Sequence, residues 1–96
     1  MSDKLTIIAH IRALDGKTAE TRAFLEGLVA PTRAEAGCID YVLHQDDEHP
    51  EEFTFYENWT DRAAWDAHME TPHLREMKQI EGRFFVVERV RQMTML

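Results

Sequence analysis

Five histidines, eighteen acidic residues and one cysteine are the groups in this 96-residue chain that could do acid–base, metal or thiol chemistry. Among them, Glu57 and His68 form the pair that local structure would bring together. In the segment 52–59, EFTFYENW, residues Phe53, Phe55, Glu57 and Trp59 share one parity, so in a strand they line one sheet face. His68 lies on the helical stretch that follows directly. An imidazole titrates near neutral pH, and beside a carboxylate it is suited to take a proton from a phenol or enol. The expectation is therefore that His68 is a general base or acid and that Glu57 orients it. The plainer alternative is that the two side chains simply satisfy each other at a strand–helix joint.

Trp59, Phe55 and Trp65 offer flat apolar surface for an aromatic ligand, although aromatics at strand and helix spacing also build cores. Tyr41 and His44 stand on opposite parities of one strand, so one faces the site while the other meets a partner sheet or solvent. The histidines at 10, 44, 49, 68 and 73 contain no i, i+4 pair and no ligand motif, and no metal is expected. Cys38 follows Gly37 at the start of an apolar strand, where a thiol reads as buried and inert.

The elements that must position these groups are legible as changes of period. Residues 5–13, LTIIAHIRA, alternate as a strand, and Asp15-Gly16 marks a turn. Phe24, Leu25, Leu28 and Val29 then form a helical stripe, which Pro31 should kink before the helix ends ahead of Gly37. Segments 38–46 and 52–59 are rich in β-branched and aromatic residues and are joined by a polar loop, the pattern of a hairpin. Thr60 is expected to cap the next helix, and Thr71-Pro72 restarts it, so that Thr71-Pro72-His73 reads as a capping device. Residues 84–92, FFVVERVRQ, complete the order β-α-β-β-α-β of an α+β, ferredoxin-like domain spanning 1–96. Helices cover one face of such a sheet, yet the strands carry apolar or aromatic residues on both parities, which predicts a homodimer.

A formal charge of −7 with scattered Lys and Arg argues against a nucleic-acid partner. No apolar run approaches bilayer length and the N-terminus lacks a secretory pattern, so no membrane is expected and the chain is placed in the cytoplasm. A single cysteine fits that reducing compartment.

The stretch Arg33-x-Glu35-x-Gly37-Cys38-x-x-Tyr41, with Tyr56-Glu57-x-Trp59 and Ala67-His68-x-x-Thr71-Pro72-His73, resembles the antibiotic biosynthesis monooxygenase family over nearly the whole chain. That resemblance implies a dimeric α+β barrel with a pocket between sheet and helices in each subunit. Similar proteins include quinol monooxygenases that use neither metal nor flavin, anthrone oxygenases, and an isomerase of a phosphorylated signal-breakdown product. Anthrone oxygenases carry asparagine four residues before the tryptophan, where this chain has Phe55, and a later tyrosine corresponds here to Trp65. Haem-degrading relatives use an asparagine of the first strand, but the only asparagine here is Asn58. The resulting expectation is a cofactor-independent oxidoreductase that takes a small quinol-like substrate and molecular oxygen. The alternatives are a keto-enol isomerase and a non-catalytic ligand-binding or stress-response module.

Overall fold

Alternation decides the sheet. Leu5, Ile7, Ala9, Ile11 and Ala13 are all buried, as are Phe53, Phe55, Glu57 and Trp59, so the odd-numbered residues of both strands face one core. The computed structural model describes residues 3–96. Its elements are β1 (Leu5–Ala13), α1 (Thr18–Gly27), α2 (Val29–Arg33), β2 (Cys38–Gln45), β3 (Glu52–Trp59), α3 (Arg62–Met69), α4 (Pro72–Ile80) and β4 (Phe85–Thr94). The four strands make one antiparallel sheet in the order β2-β3-β1-β4. This is the expected α+β, ferredoxin-like arrangement, with each helical crossover divided in two.

Register puts the chemistry in rows. Tyr41, Glu57 and Ile7 stand opposite one another across β2, β3 and β1. The next row is Leu43, Phe55, Ala9 and Val90, and an irregularity between His10 and Ile11 lets β4 stay in step on this face. Leu25, Leu28, Trp65, Leu74 and Met77 come down from the helices onto these rows to form the core.

The breaks in the two crossovers have local causes. The first falls at Leu28, three residues ahead of the expected kink, because Pro31 has no N–H to give and is tolerated only within the first turn of a new helix. The second falls at Glu70, where the Thr71 hydroxyl donates to the His68 carbonyl at 2.7 Å and accepts from Leu74 N–H at 3.4 Å. Pro72 then opens α4 with its φ already helical. The cap of α3 is Asp61 rather than Thr60: its carboxylate accepts from Ala64 N–H at 2.8 Å. Gly16 adopts φ +76° in the turn after β1, a conformation that side chains disfavour.

Among the described residues, no helix covers the opposite sheet face. There Thr6 Oγ1 donates to Asn58 Oδ1 at 2.6 Å, and Asn58 Nδ2 donates to Asp40 at 3.0 Å and to the Tyr56 hydroxyl at 2.9 Å. Tyr56 itself is 40% exposed.

Candidate active site

A cavity of about 270 Å³ lies between the sheet and the second pair of helices. Ile7, Ala9, Tyr41, Phe55 and Glu57 supply its floor from three strands, while Trp65, His68 and Met69 of α3 and Met77 of α4 wall it. The exposed members of its lining, Lys78, Glu81 and Val90, mark the mouth. Small Ala9, flanked by Phe55 and Val90 in its row, leaves the space that a larger residue would occupy. Tyr41 stacks on Phe55 with ring centroids 4.6 Å apart and meets His68 edge-on at 5.6 Å.

His68 is the central group. Its residue exposure is only 1%, and its Nδ1 lies 2.8 Å from Oε2 of Glu35. The same Glu35 oxygen lies 2.8 Å from Nε2 of His73. Burial pushes the His68 pKa down even though Glu35 pulls it up, which favours the neutral ring. With Nδ1–H donated to the carboxylate, the Nε2 lone pair of this cavity-lining ring is left to act as a base.

Glu57 is the second titratable group of the lining. Its Oε1 accepts the indole N–H of Trp59 at 3.0 Å. Burial raises its pKa to about 7 against that hydrogen bond, with the charge of Glu35 adding to the rise. Near neutrality the carboxyl is therefore partly protonated, so it can donate a proton where His68 accepts one. Burial, with Glu57 beside it, also pushes the Tyr41 phenol well above its ordinary range, which keeps it protonated.

The expected residues divide as follows. Glu57, His68, Phe55, Trp65 and Tyr41 all line one cavity. The carboxylate that orients His68 is Glu35, however, and not Glu57, because the Glu57 carboxylate is held by Trp59 instead. Trp59 is wholly buried and backs the imidazole at 4.5 Å between ring centroids rather than bordering the cavity. His44 lies on the uncovered parity of β2 and is exposed, so of the Tyr41 and His44 alternatives Tyr41 is the inward one.

Two residues escaped sequence reasoning. Glu35 and His73 carry no periodic signal: Glu35 entered only within the family motif ahead of Gly37, and His73 only within the capping device Thr71-Pro72-His73. The helix break brings together His68 and His73, five residues apart, and the loop before β2 brings Glu35 to them. Gly37 makes that loop's approach possible, since a Cβ there would collide with Ala64 of α3, and its carbonyl accepts from Thr60 N–H at 2.9 Å. The donor atoms of Glu35, His68 and His73 lie within 4.8 Å of one another, so this trio is also the partly buried set that could hold a divalent cation. Cys38 is partly buried, and its thiol pKa is raised, first by burial and then by Glu35, which leaves it a poor nucleophile.

Fold and site together define a class. The chain matches the model of the family described as antibiotic biosynthesis monooxygenase over residues 4–80, and it belongs to that family. Among solved structures it is similar to PA3566 from Pseudomonas aeruginosa, with 38% identity, a TM-score of 0.89, and coverage of 100% of this chain and 97% of that one. It is 34% identical over 77% of its length to the uncharacterized protein sll1783 of Synechocystis, of which it spans only half. It is also 32% identical over 76% of its length to a Mycobacterium tuberculosis protein named "Putative monooxygenase Rv0793", of which it covers 71%. No helix among the described residues is long and apolar enough to cross a membrane.

Proposed function

We propose that this chain is a cytoplasmic, homodimeric, cofactor-independent monooxygenase of a small quinol or phenol, built as one domain over 1–96. The observation that carries the reading is the imidazole of His68, its Nδ1 2.8 Å from Glu35, at the wall of an apolar cavity. The cavity volume of about 270 Å³ sits at the small end of ligand sites, which suits a substrate of one or two rings.

In this mechanism His68 Nε2 removes a proton from a substrate hydroxyl, and Glu35 stabilises the imidazolium that results. The quinolate is then the reductant. It gives one electron to oxygen, the two radicals combine at a ring carbon, and the O–O bond breaks with loss of water. The products are a hydroxylated quinone and one water, so substrate and oxygen alone balance the reaction. Tyr41, Phe55 and Trp65 hold the ring and exclude bulk water from the reacting atoms. Glu57, where protonated, donates a hydrogen bond to a developing oxyanion.

Homodimerisation rests on the uncovered sheet face with its exposed Tyr56 and the Thr6–Asn58–Asp40 network. The test of the activity is oxygen uptake by purified protein given a panel of reduced benzo- and naphthoquinones, with products identified by mass spectrometry. Incorporation of one atom of labelled oxygen is the expected result, and saturable binding without uptake across the panel would overturn it.

A second reading is favoured by one observation. Glu57 and His68 form an acid and a base in the same cavity, which is what proton transfer between two carbons of a keto-enol substrate requires. Turnover without oxygen consumption distinguishes this isomerase from the monooxygenase.

A further inference from the structure

We infer that Glu35, His68 and His73 form a binding site for one divalent ion of the zinc class, on the side of the His68 ring that faces Glu35. The site uses Nδ1 of His68, whereas the proposed reaction uses Nε2, so the two stand or fall separately.

Ligand identity and spacing come first. Two imidazole nitrogens and one carboxylate oxygen are a donor set that suits Zn2+, with water completing the sphere. Nδ1 of His68 and Nε2 of His73 each lie 2.8 Å from the same oxygen, Oε2 of Glu35, and the three donor atoms all fall within 4.8 Å of one another. A tetrahedral ion with bonds of about 2.0–2.2 Å holds its donors about 3.3 Å apart. Entry of the ion therefore lengthens the two contacts from 2.8 Å to about 3.3 Å, a shift that small torsional changes accommodate.

The fold prepares the donors. In one unbroken helix, residues five apart point about 140° away from each other. The break at Glu70 restarts the chain as α4 and brings the His68 and His73 rings to 6.0 Å between centroids. The Thr71 hydroxyl fixes that join through the His68 carbonyl at 2.7 Å, and Trp59 packs against the His68 ring at 4.5 Å between centroids. Access is from outside the cavity. The side chains of Glu35 and His73 are 16% and 19% exposed, and Glu35 borders a surface groove with Gly37, Ala67 and Thr71. The carboxylate offsets part of the ion's charge, and a chain of net charge −7 attracts it. On the reading of His68 as a base, an ion on Nδ1 puts the ring's own proton on Nε2, so the ion inhibits that chemistry and takes no part in it.

The test is titration of the chelator-treated chain with ZnCl2, followed by calorimetry and by nitrogen-15 magnetic resonance of the histidine rings. The expected result is one ion per chain with micromolar or tighter affinity, the His68 and His73 resonances shifting together while those of His49 stay in place. His73→Gln keeps a donor to Glu35 and removes a ligand, and Glu35→Gln keeps the carboxylate's shape and removes its charge. Each should weaken binding at least tenfold. Among the described residues, the exposed group of His49, Glu51 and Glu52 is the other place where ligand atoms gather, and Cys38 is a free thiol. His49→Gln and Cys38→Ser should therefore bind as the native chain does. No binding by the native chain at millimolar Zn2+ overturns the site, as does affinity that survives His73→Gln but is lost in His49→Gln or Cys38→Ser. The native-chain resonances decide the matter by themselves where a variant fails to fold. No turnover is measured, so failure of the ion site and failure of the base are told apart.

Discussion

The indole of Trp59 donates to Oε1 of Glu57, two residues away on the same face of β3, at 3.0 Å. That single N–H keeps a buried carboxyl from rising further, and the pKa of about 7 it leaves makes Glu57 a titrating group within the working range of a cell.

Stability should follow that titration. A carboxyl ordinarily near 4.5 that titrates near 7 when folded costs nothing below the lower value, and its cost grows between the two and is complete above the higher. The full penalty is about 3 kcal/mol. Glu57→Gln, whose amide oxygen still accepts from Trp59, should therefore raise the melting temperature more at pH 8 than at pH 5. Equal shifts at the two pH values, read by circular dichroism, would contradict it.

His68→Gln should lower oxygen uptake by roughly 10²–10⁴-fold, the usual contribution of a positioned base. Gln fills similar space and can still donate to Glu35, so the melting temperature should move by only a few degrees. A variant that remains active but is strongly destabilised would return His68 to a purely structural role.

Ala9→Leu should fill the cavity floor. Ala9 lies between Phe55 and Val90 in its row and lines the cavity, so the added methyls enter empty space rather than packed core. Binding of naphthoquinone, followed by tryptophan fluorescence through Trp65, should weaken by about tenfold or more, with stability unchanged or improved by up to ~1 kcal/mol. Undiminished affinity would place the ligand elsewhere.

Gly37→Ala should force the loop bearing Glu35 away from α3, because the new methyl meets Ala64. Overpacking of this kind costs about 1–3 kcal/mol. The downfield resonance of the His68 Nδ1 proton should weaken along with stability in denaturant. Loss of stability with that resonance intact would show that another contact holds Glu35 in place.

Period made the fold readable and sequence separation hid half of the site. The strands declared themselves through parity, as Ile7 and Ile11 against His10 and Arg12 illustrate, and Glu57 could be placed inside because it shares the parity of Phe53 and Phe55. The parity rule also left Tyr41 and His44 as alternatives, which only the coverage of one sheet face by helices resolves. Glu35 lies 33 residues before His68 and 38 before His73, in a loop whose path is set by one steric fit at Gly37, and no local pattern encodes such a meeting. Glu57 looked like the partner of His68 because both point at one face. Two groups on one face need not bond, and here Trp59 takes the carboxylate first.

The interruption at Glu70 divides labour between two short helices. α3 carries the imidazole and the Trp65 ring, whereas α4 contributes Met77 and Lys78, and its C-cap Glu81, to the wall and rim. Substitutions at Met77, Lys78, Glu81 and Val90 can therefore resize or recharge the entrance while His68 and Glu35 stay untouched. A scaffold arranged in this way can shift its substrate range by small surface changes without reinventing its reaction.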